Sequence, residues 1–144
     1  MQDIGVGRNQ TNSVRVYAKV AGDDFFTGMF ETALEEDEIV TKVVFPIPEK
    51  AAYMKFPNPA SRYAVVGTFV SCGSQGTRVA VTGAGPCVFR QSDMEAALTV
   101  SFEPESVQDI KQDEGDLNTD IHASAEYRAH LISVMAKRAV EAAS

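Results

Sequence analysis

Residues 124–143 read SAEYRAHLISVMAKRAVEAA, and this stretch decides the fold. It contains no Gly or Pro after Ser124, and Ala, Glu, Arg, Lys, Leu and Met dominate it, all good helix formers. Ser124 is placed to cap the first turn and Glu126 lies within it. Lys137 and Arg138 come toward the other end, an order that complements the helix dipole. Tyr127, Leu131, Val134, Met135 and Ala142 recur at helical spacing and are expected to form its apolar face.

Working back from this helix, Gln112–Asp116 is an acidic loop and Glu103–Lys111 is expected to be a short helix. Ser92 and Asp93 are expected to cap another, over Met94–Leu98. Upstream the texture turns to strands. Thr77–Ala84 and Tyr63–Cys72 flank the turn Gly73-Ser-Gln-Gly76, which is hairpin chemistry. Tyr53-Met-Lys-Phe56 is a further short strand, broken by Pro57-Asn-Pro59. Ile39–Phe45 is rich in β-branched residues and closed by Pro46 and Pro48. The run Glu35–Glu38 is a solvated acidic turn, and Asp23-Asp24 suggests a cap on a short helix at Phe25–Gly28. Val14–Tyr17 alternates as a strand, and residues 1–13 are expected to be a poorly ordered lead-in. Strands first and helices last give an α+β class: a small antiparallel β-sheet packed beside a helical bundle with a long C-terminal helix.

The 144 residues, 44% hydrophobic and 23% charged, suffice for a core without covalent staples. Cys72 and Cys87 have no CxxC or Cys/His metal spacing and read as small core residues. The net charge of -7, with 13 scattered basic residues against 20 acidic ones, argues against nucleic acid as a partner. No apolar run approaches a membrane span, and the first ten residues lack the layout of a signal peptide. A soluble, cytoplasmic domain is the expectation.

Motifs for chemistry are sparse. Gly83-Ala-Gly85-Pro86 follows a strand, but a dinucleotide fingerprint needs a third Gly and an immediate helix. Pro86 instead removes an N–H, so a tight turn is the better reading. Gly5-Val-Gly7 fails the same test. His122 and His130 are spaced poorly for chelation and read as solvated or capping residues. No GxSxG is present, and neither Cys has a His partner in sequence. Lys55, in a short apolar strand, either snorkels to water or faces an electron-rich cofactor edge.

Several phrases together resemble the flavin-binding medium subunit of molybdenum hydroxylases, the family of aerobic carbon-monoxide dehydrogenase and xanthine dehydrogenase. Asp24-Phe-Phe-Thr-Gly28, Leu34-Glu-Glu-Asp-Glu-Ile39 and Val43-Val-Phe-Pro46 are similar to the last strands of its FAD-binding domain. Tyr53-Met-Lys-Phe56 and the hairpin after it resemble the opening of its C-terminal domain. Ser124-Ala-Glu-Tyr-Arg128 with Lys137-Arg-Ala139 is the most specific match. The resemblance covers residues 23–143. It implies residues 1–50 as the end of the FAD-binding domain with a lead-in, and 51–144 as the C-terminal domain. That domain should have about three strands beside about three helices.

It also implies a role. FAD would relay electrons from iron–sulfur clusters on a small subunit to an acceptor, while oxidation occurs at a molybdenum cofactor on a large subunit. Val40 would lie where an aliphatic side chain packs near the isoalloxazine, and Lys55 where a lysine approaches it. Arg62 stands where relatives often carry an acidic residue, which leaves the local electrostatics open. The family's pyrophosphate-holding segments have no counterpart here, so the chain is expected to be a fragment, inactive alone. Tyr127 and Arg128 are expected to be structural. The alternative is a structural, subunit-docking domain without cofactor contact.

Overall fold

A computed structural model describes residues 3–9 and 15–144, which separate into two compact units, Met1–Ile47 and Pro48–Ser144. The first unit contains strands β1 (Asp3–Asn9), β2 (Arg15–Ala21) and β5 (Glu38–Val44), one helical turn α1 (Gly22–Phe25), and the small pair β3 (Phe26–Gly28) and β4 (Glu31–Thr32). Its main sheet has the order β2-β1-β5, antiparallel throughout. The register shifts between Gly5 and Val6, opposite Thr41, whose hydroxyl donates to the Gly5 carbonyl at 3.1 Å. Ile4, Val6 and Phe25 are its buried core, with Val20 and Leu34 packed against them.

Two expectations change here. Asp3–Asn9 is the central strand and not a loose lead-in, because Ile4 and Val6 alternate inward and supply the core. Residues 1, 2 and 10–14, the rest of that lead-in together with Val14, lie outside the described residues. The helical turn ends at Phe25 without a side-chain cap, and Phe26–Gly28 pairs as a strand. Glu35–Asp37 is exposed and turns into β5 as expected.

The second unit holds one antiparallel sheet in the order β6-β7-β8-β9: Lys50–Pro57, Ala64–Cys72, Arg78–Thr82 and the two-residue Phe89–Arg90. The β7–β8 turn closes as Gly73–Gly76, with the Gly76 N–H on the Gly73 carbonyl and Gly76 at φ +86°. Helices α2 (Ser92–Val100) and α3 (Ala125–Ala143) and a 3-10 turn at Pro104–Ser106 complete it. Val66, Val70, Val79 and Val81 from one sheet face meet Met94 and Leu98 of α2 and Leu131, Ile132, Met135, Ala136, Ala139 and Val140 of α3. The α+β class, the small antiparallel sheets, the three helices and the long last helix are all present.

α3 begins as anticipated, the Ser124 hydroxyl accepting from the Tyr127 N–H at 3.2 Å. Its buried face is wider than the spacing suggested. Arg128 and Ala129 belong to it, whereas Tyr127 and Ala142 are exposed. α2 is capped by the Gln91 side chain, which accepts from the Met94 N–H at 3.0 Å, and not by Ser92. Residues 103–111 form isolated i→i+3 turns, Val107 N–H to Pro104 and Ile110 N–H to Val107. A continuous helix does not form: Val107 is buried in the core, Ile110 packs against it, and the Ile110 carbonyl accepts from the Ser133 hydroxyl of α3. Both cysteines are unbridged and half-buried, so neither is a core residue.

Candidate functional site

Strand β6 alternates cleanly. Met54 faces the core, opposite the buried Thr68, while Tyr53 and Lys55 project from the face turned away from α3. On that outer face Lys55 pairs with Gly67, which pairs with Thr82. Tyr53 lies flat across this row, its hydroxyl 3.1 Å from the Thr82 hydroxyl. Only glycine fits beneath it: a Cβ at Gly67 would come within 2.1 Å of the Tyr53 hydroxyl oxygen and 2.7 Å of Thr82 Oγ1. Gly67 is therefore buried under the Tyr53 ring, and the outer face there presents that ring, two hydroxyls and the Lys55 ammonium.

Lys55 is exposed, yet its Nζ is held, donating to the Arg62 carbonyl at 2.9 Å. An ammonium has three donors, so two remain for another acceptor. Arg62 presents that carbonyl from a left-handed backbone at φ +64°, an uncommon state for a residue with a Cβ. The loop around it is closed by Asn58, which is buried at 9% exposure. Its N–H donates to the Tyr63 carbonyl and its carbonyl accepts from the Arg62 N–H. Its Oδ1 takes the Ala60 and Ser61 N–H groups at 2.9 and 3.2 Å. Asn58, Gly67 and Tyr53 were not singled out by sequence as site residues. The available signal was an Asn between two prolines, which favours an Asx turn.

Val40 lies on β5 of the first unit, opposite Val6, and is 41% exposed.

The remaining sequence candidates take structural places. Gly83 has φ +77° and a Cβ there would lie 2.4 Å from the Ala64 carbonyl, so the segment is a turn packed on β7. His122 and His130 are exposed. Among the described residues no group of three or more His, Cys, Asp or Glu is arranged to hold a metal ion. Tyr127 packs edge-on against Phe56, ring centroids 6.2 Å apart. Arg128, 3% exposed, donates to the Val65 and Gly83 carbonyls at 2.6 and 3.0 Å and pairs with Asp120 at 2.7 Å. The His122 N–H, with the Ala123 N–H and the Arg128 guanidinium, outweighs desolvation and holds the Asp120 carboxyl below its usual 3.8. A groove of about 650 Å³ runs between α3 and the 108–114 segment. Glu126, His130, Lys137 and Glu141 line it among others, and it shares no residue with the Lys55 face. Its charges are mixed, which favours neither anion nor cation. No helix among the described residues is long and apolar enough to cross a membrane.

No protein-family model matches the chain. The medium subunit of nicotine 6-hydroxylase from Paenarthrobacter nicotinovorans is 31% identical over 144 residues, covering 93% of this chain and 51% of that subunit. The carbon monoxide dehydrogenase medium chain of Hydrogenophaga pseudoflava is 28% identical over 136 residues, 86% of this chain and 47% of the other. Two solved structures share the fold. One is carbon monoxide dehydrogenase from Hydrogenophaga pseudoflava lacking the Mo-pyranopterin moiety of its molybdenum cofactor. It has a TM-score of 0.70 and 22% identity, over 99% of this chain and 52% of that one. The other is quinoline 2-oxidoreductase from Pseudomonas putida 86, with a TM-score of 0.71 and 20% identity, over 98% and 51%. The chain is thus homologous to the medium subunits of nicotine 6-hydroxylase and carbon monoxide dehydrogenase, and spans about half their length.

Proposed function

We propose that this chain is part of a flavoprotein medium subunit of a molybdenum hydroxylase and supplies one edge of its FAD site. FAD, when bound, supplies the electron relay between iron–sulfur clusters on a small subunit and an external acceptor. The molybdenum cofactor and the substrate chemistry belong to a large subunit. The observation that carries this reading is the held Lys55 ammonium, with two unused N–H donors, on the same outer sheet face as the exposed Tyr53 ring. Those residues fit the electron-rich edge of a planar conjugated ring. Lys55 would orient and stabilise that edge, and Val40 would offer an aliphatic contact. Nothing described here fits the pyrophosphate, so the chain alone is proposed to be inactive. Residues 1–50 would then close the FAD-binding domain and 51–144 form the C-terminal domain, in a cytoplasmic enzyme.

The test is Lys55→Ala in the intact medium subunit, read by flavin content, the flavin absorption spectrum and the rate of flavin reduction. Weakened flavin binding or a displaced spectrum supports the reading. Unchanged binding and reduction refute it and leave the docking alternative. That alternative draws on the exposed Ile39, Val43, Phe45 and Ile47, an apolar run suited to a protein partner.

A further inference from the structure

A lysine on an exposed strand ordinarily samples many rotamers and holds its charge nowhere in particular. Lys55 differs because its Nζ has a fixed acceptor, the Arg62 carbonyl, seven residues along the chain. That carbonyl points correctly only while Arg62 keeps its left-handed backbone. A Cβ-bearing residue holds such a conformation when its surroundings over-determine it. Here four hydrogen bonds converge on one buried side chain and its backbone: Asn58 to Tyr63, Arg62, Ala60 and Ser61. Pro59 adds to this by disfavouring the helical region for Asn58.

We infer that Asn58 is a positioning residue for Lys55: by closing the 58–63 loop it sets the Arg62 carbonyl that holds the Lys55 ammonium on the outer face of the sheet. Asn58 touches no ligand in this scheme. The Arg62 side chain is dispensable while its backbone conformation is not. Only the consequence for flavin rests on the function proposed above; the positioning itself stands on this chain's own geometry.

The experiment is competitive trace acetylation of the 144-residue chain with acetic anhydride, read by peptide mass spectrometry. Each rate at Lys55 is divided by those at Lys50, on the same strand, and Lys111. Asn58→Ala is expected to raise the relative rate at Lys55 by about fivefold, the change that loss of one hydrogen bond of ordinary net strength sets. Asn58→Asp, which keeps the acceptor oxygen, and Arg62→Gly, which adopts positive φ freely, are expected to stay near the native value. Equal acceleration at Lys50 and Lys55 would overturn the inference, since Asn58 would then serve general stability. An unchanged Lys55 rate in a folded Asn58→Ala chain would overturn it too. Should Asn58→Ala not fold, Arg62→Gly decides alone, because a Lys55 rate there matching the rate in urea removes the carbonyl from the scheme. Separately, Lys55→Gln in the intact subunit reports flavin affinity. If that is unaffected while Asn58→Ala frees Lys55, the positioning stands and the flavin reading falls.

Discussion

Replacing Arg128 by alanine removes a buried cation from the point where α3 meets two strand ends. The guanidinium makes three bonds, to the Val65 and Gly83 carbonyls and to Asp120. Hydrogen bonds to a charged group contribute about 1.5–3 kcal/mol each, before the desolvation of the ion is set against them. The carboxylate partner is half-exposed and can rehydrate, whereas the bond to the Val65 carbonyl is buried. A net loss of about 2–4 kcal/mol follows, from the lost charged bonds and a buried carbonyl deprived of this donor. Against a domain stability of about 5–15 kcal/mol, the second unit would be left marginal at 37 °C. Urea unfolding followed by tyrosine fluorescence is a suitable assay. The chain has no Trp, and Tyr53, Tyr63 and Tyr127, three of its four tyrosines, lie in that unit. Arg128→Lys keeps the charge but not the fork, and is expected to fall between native and alanine. A loss under about 1 kcal/mol for Arg128→Ala would refute the clamp, because even one lost charged bond exceeds that.

Thr68 is fully buried and its hydroxyl has no partner among the described residues. Thr68→Val should therefore stabilise the chain by about 1 kcal/mol in the same urea assay. Gly67→Ala should destabilise by about 1–3 kcal/mol through clashes with Tyr53 and Thr82, and the penalty should shrink in a Tyr53→Ala background, where only the 2.7 Å approach to Thr82 Oγ1 remains. Asp120 has a folded pKa below its ordinary 3.8, so its contribution is fully present above that value and is lost as pH falls through the folded pKa. Melting temperatures of Asp120→Asn and native chains should accordingly converge in strong acid and separate above pH 4, the native chain higher.

The elements legible in the sequence were those whose signals are local. α3 announced itself through Ser124 and an uninterrupted run of helix formers, and β7–β8 through the Gly73–Gly76 turn. Strand β1 was not legible, because Gly5 and Gly7 hide an alternation carried only by Ile4 and Val6, and its partner β5 lies some thirty residues away. The stretch 103–111 has helical composition but answers to burial of Val107 against the core. Lys55 was visible as an oddity in an apolar strand. Its acceptor was not, because the carbonyl of Arg62 depends on a backbone state that no side-chain pattern encodes.

α3 supplies much of the second core, yet it follows the sheet in the chain by a wide interval. β9 ends at Arg90 and α3 starts at Ala125, 35 residues later. At synthesis rates of about 5–20 residues per second, the part of the valine face that α3 covers stays open for about 2–7 s on every nascent chain. During that window only Met94 and Leu98 of α2 are available to shield it. Yield of native protein should therefore depend on chaperone supply and elongation rate more than the stability of the finished fold suggests.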